Sequence, residues 1–351
     1  MVEIDVDSHK LMYHPERVAK WGKDGDCFPI YVEVGPTNVC NHRCVFCALD
    51  YLEKGGRFIN RQVMLDALND MAEHGVKSIM FAGEGEPLLH KDIIDFVHNA
   101  KEGGMDVSIT TNGLLFTKEK MENILPNLTW IRFSVDAGSP EMHSKIHGTS
   151  IEDFDKIMDN IKEAVKFKRE RNLKTTIGVQ LLMIPDSMGE ALTLAKKLKE
   201  IGADNIQLKP YSHHPKSKND YTVSAKDANH LKEKIITLGD DKFKVFFRES
   251  TLKRIESGID YPVCYGLSFF ALIDSRGAVF PCNLYYNDEE HTYGNIYENK
   301  FSEIWQSERR KKVIEEINKK GAAGCRRGCR LDVINRYLHR IKNPDEHDNF
   351  I

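Results

Sequence analysis

The sequence predicts an α/β chain, a partial (β/α)6 TIM-like barrel followed by a small α+β domain. Three observations predict it. Short β-rich runs alternate with helical stretches six times between residues 28 and 235. Strands separated by helices pair in parallel through right-handed crossovers, and six units make an open barrel rather than the closed eight-unit form. Beyond Tyr211 the rhythm stops, and shorter strand-like runs around turns take over.

The elements follow in order. IYVEVG, residues 30–35, is the first strand. Residues 62–74 put Met64, Leu68 and Met71 on one helical face, and Gly75 ends that helix. Val76 to Ala82 is the second strand, with a helix from about 91 to 102. Further strands are expected at 105–110, 129–135, 174–182 and 204–209, and helices at 118–124, 152–170 and 188–201. Ser187 and Glu190 have capping-box spacing before the last of these, and Gly202 closes it. SHHPKSKNDY is a loop, and a helix at 224–237 closes the barrel. KVFFRES opens the second domain, FFALIDS and AVFPCN form a hairpin with Gly277 and Asn283 at turns, and one helix runs from Ser302 to about Asn318. The domains expected are an N-terminal extension 1–27, a barrel 28–235 and a C-terminal domain 243–351.

A chain of 351 residues with 41% hydrophobic residues can bury a sizeable core. A net charge of -3 gives no basic excess, so nucleic acid is not an expected partner. No run of about twenty apolar residues exists, so no membrane span is expected. The polar N-terminus lacks an apolar signal segment, which places the protein in the cytoplasm.

Eight cysteines fall into two clusters far apart in sequence, a pattern of ligand sets more than of disulfide staples. Cys40, Cys44 and Cys47 read Cys-x3-Cys-x2-Cys in CNHRCVFC, after the first strand. Three thiolates can hold three irons of a four-iron cluster and leave the fourth open. A zinc site is the competing reading, and it needs a fourth ligand that His42, inside the same tight loop, is badly placed to give. Cys264, Cys282, Cys325 and Cys329 form a second, complete set, for which zinc is again the competing metal. Cys27 stands apart, as a small buried residue or a hydrogen-atom donor.

With the cysteine loop and FAGEGEP, residues 81–87, on the next strand, the chain resembles a radical S-adenosylmethionine (SAM) enzyme. Phe46 before the third cysteine also matches. The resemblance implies a [4Fe–4S] cluster whose open iron chelates SAM, reductive cleavage to a 5′-deoxyadenosyl radical, hydrogen abstraction, and a flavodoxin- or ferredoxin-type electron donor. Gly83 and Gly85 let backbone approach a ligand. Pro87 holds Glu86 extended. Glu84 stands where the family usually has glycine. The second cysteine set resembles the shortened auxiliary-cluster domain called twitch, and GNI with FSEIWQS resembles its longer SPASM relatives. Four cysteines imply one auxiliary [4Fe–4S] cluster.

Strand ends supply further cofactor contacts. The candidates are Ser108, Thr110 and Asn112 on the third strand and Ser134 on the fourth, of which the resemblance implies Asn112 and Ser134 near the SAM carboxylate or ribose, with Gln180 on the fifth and Lys209 on the sixth as ribose or substrate contacts. Arg132, Ser134 and Asp136 alternate and so share a face. The family's arginine–glycine pair that binds the SAM carboxylate is His147–Gly148 here. Histidine lacks the guanidinium fork, which leaves Lys145 or another strand to hold that carboxylate.

By cysteine layout the chain most resembles aminocyclitol dehydrogenases. That implies oxidation of a secondary alcohol on a small polyol, cyclitol or nucleotide sugar, with the substrate radical giving its electron to the auxiliary cluster. Arg248, beside Glu249 on the strand entering the second domain, is the candidate to orient a hydroxyl. His213, with His214, is the candidate base. Tyr211 and Arg327 are weaker choices. If Cys27 reaches the substrate radical, epimerisation becomes attractive. The alternative is a peptide- or protein-modifying radical SAM enzyme.

Overall fold

The computed structural model describes residues 9–350. Of the expected extension 1–27, residues 1–8 lie outside the described part. The remainder holds α1 (Pro15–Asp24), started by Pro15 and stopped by Gly25 in the left-handed region.

The barrel runs β1 (Tyr31–Val34), α2 (Arg61–Glu73), β2 (Ser78–Phe81), α3 (Ile93–Glu102), β3 (Asp106–Thr111) and α4 (Lys118–Ile124). It continues with β4 (Trp130–Ser134), α5 (Pro140–His147), α6 (Asp153–Glu170), β5 (Thr176–Met183), the one-turn α7 (Pro185–Met188), α8 (Ala191–Ile201), β6 (Asn205–Pro210) and α9 (Ala225–Ile235). Then come β7 (Lys244–Phe247), α10 (Glu249–Ser257), β8 (Phe270–Ile273), β9 (Ala278–Phe280), β10 (Gly294–Asn295), α11 (Phe301–Gln306), α12 (Glu308–Lys320) and α13 (Asp332–Lys342).

All ten strands form one sheet, in the order β10-β9-β8-β1-β2-β3-β4-β5-β6-β7. From β8 to β7 every pairing is parallel. β8, β9 and β10 pair antiparallel. The architecture is the partial barrel with a small α+β domain, and two details differ from the sequence reading. Lys244–Phe247 is a seventh parallel strand beside β6, because it follows a helix as the six before it do. β8, from the C-terminal domain, pairs with β1 over Tyr31–Val34, so the two domains share a sheet.

Alternation along the strands sets two faces. Val32, Val34, Ile79, Phe81, Val107, Ile109, Ile131 and Phe133 are fully buried against the helices. Each contributes about 1.5–3 kcal/mol by leaving water. Polar residues at the intervening positions, Glu33, Ser108, Thr110, Arg132, Ser134, Gln207 and Lys209, face the lumen. Asp136 does not share that face: β4 stops at Ser134, and Asp136 turns with φ 58°.

Two helix boundaries also differ. Ser187 bonds back to Ile184 and Leu182 within α7, while the Glu190 carboxylate accepts from Gly138 N–H, so the expected capping box is not made. The predicted helix from Ser302 breaks at Ser307, whose extended backbone lets its hydroxyl cap α12 at Arg310 N–H. Gly277 holds the β8–β9 turn, at φ 78°. Asn283 opens a 3-10 turn.

Side chains fasten the domains together. Asp70 on α2 accepts from the amide and hydroxyl of Ser302. Buried Arg310 forms a bidentate pair with Asp26 and lies 3.7 Å over the Trp305 ring. No helix among the described residues is long and apolar enough to cross a membrane.

Candidate active site and metal centres

The loop after β1 carries Cys40, Cys44 and Cys47 and is held from three sides. Arg43 N–H donates to the His147 carbonyl at 2.8 Å and Val45 N–H to Ile146 at 2.9 Å. These carbonyls close α5, where helical partners run out, so the loop satisfies them. Asn112 at the end of β3 donates through its side-chain amide to Asn41 at 2.7 Å. Asn219 donates to the Cys47 carbonyl at 3.1 Å.

The FAGEGEP loop docks on the segment leading into those cysteines. Glu86 N–H donates to the Val39 carbonyl at 2.8 Å. A Cβ on Gly85 would lie 2.3 Å from the Val39 oxygen and 2.5 Å from the Thr37 oxygen, and one on Gly83 2.6 Å from Gly35 Cα. Both glycines are therefore required by protein packing as well as by any ligand, and Gly83 also has φ 108°. Buried Glu86 accepts from Leu88 N–H (3.0 Å), the Thr111 hydroxyl (2.6 Å) and Asn112 N–H (2.8 Å). It staples β2 to β3, and burial raises its pKa. Glu84 turns away, accepting from Ser275 N–H at 2.7 Å.

A cavity of about 320 Å³ opens above the strand ends. Cys40, Cys44, Cys47, Gly83, Gly85, Glu86, Thr110, Asn112, Ser134, Gln180 and Lys209 all line it. Ser108 does not; its hydroxyl bonds the Ile79 carbonyl, and it borders a separate hollow at the other end of the strands. Asn283, Tyr286 and Arg326 line the cavity from the C-terminal side. The sequence reading did not select these three or Glu33. The available signals were a carboxylate inside the apolar strand YVEV and an arginine beside Cys325.

Three soft ligands line the cavity, and among the described residues no further cysteine does. Burial raises the Cys40 and Cys44 thiols, so metal binding would relieve the cost of their thiolate forms. His42, Cys44 and His147 bring ligand atoms within 4.8 Å of one another, but a single ion there uses one cysteine of three. The donor set fits an iron–sulfur cluster with one open corner. His147 is buried, with Nδ1 3.2 Å from Cys44 Sγ and Nε2 2.9 Å from the Val135 carbonyl. Lys145 points away and pairs with Asp186, so it does not stand in for the family's arginine.

The second set closes on itself. Cys264, Cys282, Cys325 and Cys329 line one pocket of about 180 Å³ walled by Tyr261, Leu284 and Tyr285. Burial and mutual repulsion push Cys264 up to about 12 and Cys325 to about 11. Asn335 donates to Cys264 Sγ at 3.3 Å and Leu331 N–H to Cys329 Sγ at 3.4 Å. Four thiols, two of them with N–H donors to sulfur, fit a saturated cluster.

The other candidates lie elsewhere. Cys27 is buried among Trp21, Ile30 and Phe269, bonds the Ser268 carbonyl, and has its thiol pushed up to about 12 by burial. It does not line the cavity, which removes the reason to favour epimerisation. His213 is exposed and bonds the Asn219 carbonyl at 3.0 Å. His214 is buried, stacked on Tyr51 and bonded to the Asn283 carbonyl. Arg248 sits at the start of α10 rather than on a strand, and Glu249, inside that helix, pairs with Lys232 and Lys253. Tyr211 lines the cavity and donates to Asn219, while Arg327 reaches Ile255 outside it.

Comparison with known proteins agrees with this arrangement. Residues 34–198 match the Radical SAM superfamily, and residues 264–330 match SPASM, an iron–sulfur cluster-binding domain. The chain thus joins a radical SAM domain to a SPASM-type auxiliary domain. It is 24% identical over 300 residues to the tungsten-containing aldehyde ferredoxin oxidoreductase cofactor-modifying protein of Pyrococcus furiosus, covering 80% of this chain and 81% of that one. It is 33% identical over 130 residues to a probable GTP 3′,8-cyclase of Saccharolobus islandicus, covering 37% of this chain but only 41% of the cyclase. Its fold superposes on Streptococcus suis SuiB bound to precursor peptide SuiA with TM-score 0.66 at 19% identity, over 86% of this chain and 70% of that one. It superposes on anSMEcpe with bound AdoMet and the Cp18Cys peptide with TM-score 0.60 at 16% identity, over 89% and 96%. These likenesses are of fold. They do not favour the aminocyclitol dehydrogenases to which the cysteine layout pointed.

Proposed function

We propose that this chain is a radical SAM oxidoreductase that removes hydrogen from a peptide or protein substrate held between its two cysteine sets. The observation that carries the oxidative part is one shared cavity. Cys40, Cys44 and Cys47 line it on one side, and Asn283 and Arg326, each beside an auxiliary cysteine, line it on the other. The peptide part is supported by the two peptide-bound structures whose fold this chain shares. It replaces the small polyol or sugar suggested by cysteine layout.

We assign one [4Fe–4S] cluster to Cys40, Cys44 and Cys47, and an auxiliary one to Cys264, Cys282, Cys325 and Cys329. SAM is assigned to Gly83, Gly85, Thr110, Asn112, Ser134 and Gln180. When bound, these groups supply a hydrogen-abstracting radical and an electron acceptor. The chain supplies position and dryness. Phe46, Leu49 and Leu182 give the cavity apolar wall. The Tyr286 hydroxyl is buried beside Gly35 and Gly83 with no hydrogen-bond partner among the described residues, and is free to orient a polar group of the ligand.

Anaerobic incubation of the reconstituted protein with SAM, reductant and a panel of peptides, cyclitols and nucleotide sugars tests the reading by mass. The expected result is loss of two hydrogens from a peptide. Turnover of cyclitols or sugars with none of peptides sinks it, and solvent-deuterium uptake without mass loss sinks its oxidative half.

A further inference from the structure

The lumen beside the cavity concentrates positive charge. Arg330 pairs with Glu33 and donates to the Tyr31 hydroxyl at 2.9 Å. Arg132, from β4, meets only neutral acceptors in its hydrogen bonds, Gln207 Oε1 at 3.1 Å and Thr110 Oγ1 at 3.2 Å. Arg326 likewise donates to the hydroxyl and carbonyl of Ser212, at 2.8 and 2.5 Å. Lys209, from β6, has neither a hydrogen bond nor an ion pair among the described residues. After burial itself, the strongest influences on it are the guanidinium groups of Arg326, Arg330, Arg132 and Arg248, all repelling.

That arrangement is costly while nothing negative is present. Burial and the neighbouring cations hold Lys209 well below the lysine range and bring Arg132 down to about 10. Glu33 offsets Arg330. Among the leading influences on Lys209 there is no such counter-charge. Buried cations persist when a ligand completes the pairing. SAM's own carboxylate is the competing occupant of this cavity, and SAM affinity in the Lys209 variant separates the two.

We propose that Lys209 and Arg326 bind an oxyanion of the substrate, a carboxylate or a phosphate, and so present a neighbouring carbon toward the Cys40–Cys47 side of the cavity. Both side chains line that cavity. The proposal rests on the oxidoreductase reading above and names a feature its substrate must have. A neutral polyol gives Lys209 no counter-charge.

Calorimetric titration of the SAM-loaded, two-cluster protein with pyrophosphate and with glutarate tests it. Wild type is expected to bind at least one of the two, more weakly at higher salt. Lys209→Met should weaken that binding about tenfold or more, the size of a lost charge-assisted hydrogen bond. SAM affinity and iron content should not change, and Lys209→Arg should recover most of the loss. Preference for pyrophosphate points to a phosphorylated substrate, and preference for glutarate to an acidic peptide side chain. Wild-type binding of neither probe, unchanged binding in Lys209→Met, or a matching loss of SAM affinity overturns the proposal. Peptides without an acidic group turned over equally by wild type and Lys209→Met also overturn it, yet leave the peptide reading standing. Turnover of phosphorylated small molecules alone, lost in Lys209→Met, does the reverse.

Discussion

Gly85 shows how one missing methyl group holds a site together. Its Cα faces the backbone of Thr37–Val39, immediately before the first cluster cysteine. Gly85→Ala should destabilise the protein by about 1–3 kcal/mol through overpacking, and should lower the iron bound by Cys40, Cys44 and Cys47. Thermal unfolding and iron analysis of the reconstituted variant check this. The sequence made Gly85 legible as a place of close approach, but not that the approaching partner is the chain itself. The direction of Glu84 was not legible for a related reason: the side of a loop a carboxylate takes depends on Ser275, almost two hundred residues away. His143 yields a pH prediction. It is fully buried, and burial and His147 hold its pKa down to about 4. The unfolded chain takes up this proton first, so its contribution to stability is complete above pH 6.5 and drains away as pH falls toward 4. At pH 5 the loss is about 2 kcal/mol. Urea unfolding of the metal-free protein at pH 7.5 and pH 5 should show it, and His143→Gln should remove this share while the share of His42, held down to about 3 by burial, remains.

At the scale of elements, α5 is the support for the cysteine loop. Its last carbonyls take the Arg43 and Val45 amides, and Gly148 closes it at φ 55° with Arg43 pressed against it. A Cβ there would meet the Arg43 oxygen at 2.6 Å. Gly148→Ala should therefore release the loop while sparing the auxiliary set. Iron content is expected to fall toward half, and SAM binding to weaken at least tenfold, the residual iron giving the spectrum of a four-cysteine cluster. Loss of both clusters together would mean that α5 supports the whole fold instead. The barrel strands and most helices were readable from local pattern, since alternation and caps such as Asn60 and Ser224 are written within a few residues. The break at Ser307 was not. Ile304 and Trp305 continue the apolar stripe, and the Ser307 cap is joined at the bend by the distant pairing of Arg310 with Trp305 and Asp26.

Over the whole molecule, the sequence separates two domains that the fold joins. β8 lies beside β1 along its full length, a long-range pairing that no local pattern announces. A chain ending at residue 243 would leave that edge of β1 unpaired and Phe270, Leu272 and Ile273 missing from the core. Such a fragment should aggregate on expression, and size-exclusion chromatography checks it; a monodisperse, SAM-binding fragment would show that the barrel stands alone. Cys282→Ala should instead leave the sheet intact, with iron falling from about eight per chain to about four and oxidised product lost while SAM cleavage continues. The shared sheet has a kinetic consequence too. A hydrogen-bonded ladder, not a linker, sets the separation of the two cysteine sets, so electrons passing from a substrate radical to an auxiliary cluster would cross a gap that does not breathe with domain motion. Their transfer should be insensitive to solvent viscosity, and turnover should slow in glycerol only as far as substrate entry and product departure are slowed.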